Sequence, residues 1–122
     1  MTGVRLALVV TALVAPASTA LAETASRPVT FARDVAPILQ QKCESCHRPD
    51  SVAPMSLITY TDVRPWAAAI KSRVAARQMP PWDIVKTVGI QQFKNDSSLS
   101  DEQIDTIVGW VDAGAPLGDP KD

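Results

Sequence analysis

Cys43-Glu44-Ser45-Cys46-His47 constrains this chain more than any other segment, because it gathers both cysteines and the one histidine of a 122-residue sequence into five consecutive positions. Whatever fold forms must deliver two thiols and an imidazole to one place. A structural zinc site wants four ligands, and no further Cys or His exists to complete the three present here. A thioredoxin-like redox pair wants a βαβ setting, and no stretch alternates apolar and polar residues long enough to suggest a sheet. A plain disulfide leaves the adjacent His47 without a purpose.

The spacing C-x-x-C-H is the c-type haem attachment pattern. Two thiols this far apart can reach the two vinyl groups on one porphyrin edge and form thioethers. The next residue can then turn its imidazole onto the iron. One covalent haem c through Cys43 and Cys46, with His47 as an axial ligand, is therefore expected. The His47 ring should donate its outer N–H to a backbone carbonyl, with Pro49 and Pro54 as the nearby options. A second His ligand from the same molecule is excluded, so the sixth position falls to Met79 or Met55. Met79 precedes Pro80-Pro81, which stiffens its loop and holds a thioether at small entropic cost. Met55 lies only eight residues past His47, so its chain would have to hug the haem edge. Cofactor-binding residues are thus Cys43, Cys46, His47 and Met79, with His47 and Met79 on the iron.

The chain begins like an export signal: Arg5, an apolar run over Leu6–Ala15, then Ala20-Leu21-Ala22, with cleavage expected after Ala22. The apolar run is shorter than the roughly 20 residues that span a bilayer. Residues 1–22 are thus read as a cleaved signal peptide and 23–122 as one domain, periplasmic and without a transmembrane span. The formal net charge of −1 and the scattered Lys and Arg exclude a nucleic-acid surface.

Three helices are expected, joined by Pro-rich loops at 48–60 and 78–99. The first spans about Asp34 to Lys42, with Val35, Ile38 and Leu39 on one face. The second spans about Asp62 to Arg77, with an apolar stripe of Val63, Trp66, Ala67, Ile70 and Val74. Asp34 and Asp62 are their N-caps in a shared Asp-Val-x-Pro start, with Thr30 and Thr61 as alternatives. The third opens at Ser100 with Gln103 as a capping box. Its face is Ile104, Ile107, Val108 and Val111, and Gly114 and Pro116 stop it. The fold class is all-α, with long loops wrapped around one haem. Arg64, Trp66, Arg77 and Trp82 are candidates to meet the haem propionates, with Trp66 otherwise core and Trp82 otherwise haem wall. Tyr60 either caps its loop or reaches a propionate.

These motifs resemble small bacterial monohaem cytochromes c of the class I-like type over about residues 30–116. The similarity rests on Asp34-Val35-Ala36-Pro37-Ile38-Leu39 before Cys43, on Arg64-Pro65-Trp66, on Met79-Pro80-Pro81-Trp82 and on Trp110-Val111-Asp112-Ala113-Gly114-Ala115-Pro116. It implies a cytochrome c-like fold in which Val35, Ile38 and Leu39 meet Ile107, Trp110 and Val111. It also implies Met79 as the distal ligand, and single-electron transfer between a periplasmic donor and acceptor rather than catalysis. A subunit of a larger periplasmic oxidoreductase is the alternative, and a haem enzyme or sensor with an open distal site a further one. Segment 83–98 departs from the pattern, with no apolar helix after Trp82.

Overall fold

A computed structural model describes residues 27–82, 84–85, 87–89 and 93–122. The signal-peptide reading of 1–22 lies outside the described residues. Those described form an all-α structure without strands, and no helix among them is long and apolar enough to cross a membrane. Helix α1 (Ala36–Lys42) continues from a wide π turn over Phe31–Val35. Helix α2 (Tyr60–Val63) passes through a 3₁₀ turn at Arg64–Trp66 into α3 (Ala67–Ala75). Helix α4 (Asp101–Asp112) closes the fold.

The first helical segment starts one turn earlier than Asp34. Asp34 is not the N-cap; Thr30 occupies that position in extended backbone, and the Asp34 carboxylate reaches back to accept the Thr30 N–H at 2.7 Å. The first free helical donors are taken by the far end of the chain: Phe31 N–H bonds Pro116 O at 2.9 Å and Ala32 N–H bonds Leu117 O at 3.0 Å. The start thus depends on a long-range partner as well as on local capping.

The expected continuous second helix is broken. Thr59 is its cap, in a reciprocal capping box with Asp62, so Asp62 is the third residue of the helix rather than its cap. Pro65 has no N–H for the helical ladder, and the chain tightens into the 3₁₀ turn there. Val63, Ala67 and Val74 are buried, but Trp66 is 45% exposed, so it is not a core residue. The helix also stops early, at Ala75. Arg77 takes a left-handed φ of 54°, with Arg77 N–H on Val74 O and Gln78 N–H on Arg73 O. That is a Schellman ending with Arg where Gly is usual.

Helix α4 follows its sequence. Ser100 and Gln103 form the capping box, and Gly114, at φ 87°, ends it with Ala115 N–H on Trp110 O and Gly114 N–H on Val111 O. Ile107 and Trp110 are fully buried. Helix α4 packs against α3 and against the Phe31–Val35 turn. Phe31 stands between Tyr60 and Trp110, with ring centroids 5.4 and 5.9 Å away. Val35, Leu39, Ile107 and Trp110 share one core with Leu57 and Leu99, contributed by loops.

Replacing Trp110 by Ala empties the centre of this core and should cost about 3–5 kcal/mol, read by denaturant unfolding; Ser100→Ala should cost about 1 kcal/mol. A second expectation concerns acid. Partial burial opposes ionisation of Asp34, but the Thr30 N–H and the Arg33 and Arg27 charges outweigh it and hold its pKa below the usual 3.8. Hydrogen bonds from the Thr59 and Ser56 side chains and the Thr59 backbone do the same for Asp62. A carboxyl depressed on folding stabilises the fold above its unfolded pKa and loses that contribution as pH falls through the folded one. Stability should therefore fall below about pH 4, and Asp34→Asn with Asp62→Asn should flatten that fall in unfolding curves taken across pH.

Candidate functional site

The C-terminal end of α1 delivers the site. Cys43 N–H and Glu44 N–H both bond Leu39 O, at 2.8 and 3.0 Å, and so end the helix at Cys43. Cys46 N–H and His47 N–H then both turn back to Cys43 O, at 3.1 and 2.9 Å. This tight turn carries the second thiol and the imidazole round beside the first. The following loop folds over it through Ala53 N–H to Cys46 O and Leu57 N–H to His47 O. Buried Leu57 anchors that return.

The His47 ring lies with Nδ1 3.2 Å from Met55 O. A carbonyl only accepts, so the proton is assigned to Nδ1 and the Nε2 lone pair is left for a Lewis acid. The partner carbonyl belongs to Met55, not to Pro49 or Pro54 as the sequence suggested. The reach to Met55 follows from the loop turning back at Leu57.

Cys43, Cys46, His47, Met55 and Met79 all line one cavity of about 670 Å³, within the roughly 300–1,000 Å³ usual for cofactor sites. Its other walls are mostly apolar: Leu39, Val52, Ala53, Pro54, Leu57, Trp66, Ala69, Ile70, Val74, Pro80 and Pro81. The cations Lys42 and Arg73 also line it, and no Asp or Glu is among its described lining residues. Lys42 Nζ donates to Asp96 O at 2.9 Å, and Arg73 to Gln78 Oε1 at 2.6 Å.

Of the four propionate candidates, only Trp66 lines this cavity. Arg64 donates to Gly114 O at 3.2 Å. Arg77 pairs with Asp101 and, like Trp82, borders an adjoining cavity. Tyr60 OH is committed to Ala115 O at 2.9 Å. Lys42 and Arg73 were not singled out from sequence. Arg73 had a signal: Trp66, Ala69, Ile70 and Arg73 follow helical spacing on the face beside the buried stripe.

The two cysteines are free. Burial, then the charges of Glu44 and Cys46, push the Cys43 thiol up to about 11. Cys43 is therefore a neutral thiol near pH 7. Adding an S–H across a vinyl C=C gives a thioether with no atom left over, so the pair can fix a flat divinyl ligand in an apolar slot. His47 Nε2 and a Met thioether can serve its metal centre, and the two cations suit carboxylates on its rim. These residues fit a haem. No group of three or more His, Cys, Asp or Glu that could hold a metal ion occurs among the described residues. The chain matches no family model, no curated protein and no solved structure, so the site is argued from its own residues.

In reduced, haem-free protein, exposed Cys46 should be alkylated at neutral pH well before Cys43. Cys43 should react only as pH rises toward about 11. Peptide mass mapping after timed iodoacetamide treatment reads the order, and equal rates at pH 7 would refute it.

Proposed function

We propose that this chain is a c-type cytochrome with a cytochrome c-like fold, exported to the periplasm, that carries single electrons on one haem c. The observation that supports this best is the meeting of Cys43, Cys46, His47 and Met79 on the walls of one apolar cavity. The haem, when bound, supplies an iron that gains and loses one electron. Cys43 and Cys46 would hold one porphyrin edge by thioethers. His47 is aimed by its bond to Met55 O, which fixes the ring and leaves Nε2 free to act as a ligand. That bond ties the Met55 backbone to the His47 side, which favours Met79 for the opposite side. A neutral thioether ligand and an apolar wall both favour the reduced iron and raise its potential. Lys42 and Arg73 are the propionate partners in this reading.

His47 and Met79 would together hold the iron, and a site so filled would suit electron transfer between a periplasmic donor and acceptor rather than catalysis. The chain's one His is committed to the metal, so no second imidazole remains for distal acid–base work.

The full chain expressed in a host with a periplasmic haem-attachment system should show sharp low-spin bands on reduction, retained by the polypeptide after acid–acetone extraction. Met79→Ala should abolish the long-wavelength sulfur-to-iron band of the oxidised protein and lower its potential, while Met55→Leu keeps both. A haem that extracts freely, or an unchanged Met79→Ala spectrum in both oxidation states, would refute this assignment.

A further inference from the structure

Between the end of α3 and the start of α4 lies a second cavity of about 530 Å³. Val74, Met79 and Pro80 form its common wall with the cysteine–histidine cavity. Trp82, Ser98, Leu99 and Ile104 line this cavity and not the other.

Two of these residues bring donors with nothing to bond. Trp82 Nε1 and Ser98 Oγ are buried atoms without a hydrogen-bond partner among the described residues. An unpaired buried donor is costly, so a pair of them on one cavity asks for an explanation. Local contacts hold both in place. Trp82 N–H bonds Pro80 O at 2.8 Å, and its indole meets the Phe93 ring edge-on at 6.3 Å. Ser98 N–H bonds Asp96 Oδ1 at 2.8 Å, and the next residue, Leu99, is buried. Two other polar side chains on the lining are already spent. Ser100 Oγ accepts the Gln103 N–H, and Arg77 pairs with Asp101.

Charge then selects the guest. The described lining carries one cation, Arg77, against two carboxylates, Asp101 and Glu102. An anion would meet net repulsion. A cation would face an indole N–H that can only donate. A neutral molecule with acceptor oxygens suits both donors, and Leu99, Ile104 and the Trp82 ring give its body an apolar bed. We infer that this cavity binds a neutral ring compound carrying carbonyl oxygens, with Trp82 Nε1 and Ser98 Oγ as its hydrogen-bond donors. The site stands independently of the haem reading, and no electron or proton moves on binding.

Duroquinone is the probe. It is neutral, it carries a carbonyl at each end of its ring, and its full set of methyl groups leaves no free position for a thiol to attack. Durene is the same methylated ring without the carbonyls. In equilibrium dialysis against the full chain, duroquinone should bind about tenfold or more tightly than durene. Trp82→Phe and Ser98→Ala should each weaken duroquinone about tenfold and leave durene unchanged. Ser98→Ala should also keep or raise the unfolding midpoint of the free protein, because the lost hydroxyl had no partner. Equal binding of the two rings, or duroquinone affinity unchanged in both variants, would overturn the inference. So would a midpoint lowered by Ser98→Ala, which would show the hydroxyl to be paired already. None of these readouts needs haem, so their failure is separate from failure of the cytochrome reading.

Discussion

The turn after α4 is the tie on which the other elements depend. Four successive carbonyls are used, two by the Tyr60–Arg64 segment and two by the start of the first helical segment. Gly114 O accepts from Arg64 and Ala115 O from Tyr60. Pro116 O accepts from both Phe31 N–H and Trp110 Nε1, and Leu117 O from Ala32 N–H. Gly114 makes this possible by taking the left-handed conformation that exposes the following backbone. Ala115 follows with φ 54°, a conformation that costs a residue with a Cβ on the order of 1–3 kcal/mol. Its bond to Tyr60 and its burial offset that cost.

Through this tie the two halves of the site are held to each other. The Pro116 and Leu117 carbonyls fix the start of the Phe31–Lys42 helical segment, whose far end presents Cys43, Cys46 and His47. Helix α4 also packs against α3, whose Schellman ending turns the chain toward Met79. The distance between imidazole and thioether is thus set by α4 and its terminal turn rather than by the loop joining them in sequence. A loosened Trp110 would be felt at both His47 and Met79.

What could be read in the sequence was what short-range chemistry decides. The Ser100–Gln103 box, the Gly114 stop and the covalent adjacency of Cys46 and His47 need no distant partner. The misread positions had partners elsewhere or an ambiguous local role. Asp34 and Asp62 carry cap chemistry but sit one turn inside Thr30 and Thr59, each accepting the backbone N–H of the residue at the cap. Arg77 ends a helix in a conformation normally signalled by Gly. Trp66 is half exposed next to Pro65, where the α-helix gives way to a 3₁₀ turn. His47 took the Met55 carbonyl because Leu57 is drawn into the core, a pull that a prolyl count cannot reveal.

The cavity also bears on how the fold is held. Eleven apolar residues make up the buried core among those described, while Leu39, Leu57 and Val74 belong both to that core and to the cavity wall. An apolar void beside so small a core destabilises it roughly in proportion to its volume, because wall atoms lack contacts on one side. A rigid apolar ligand in that space supplies those contacts and binds only the folded arrangement, which shifts the folding equilibrium by mass action. Covalent attachment, as proposed for Cys43 and Cys46, would make the gain permanent, since the ligand could not be lost on transient opening. If the proposed haem is attached, its thioethers would serve folding as well as redox chemistry, at the end of a helix already pinned at its other end.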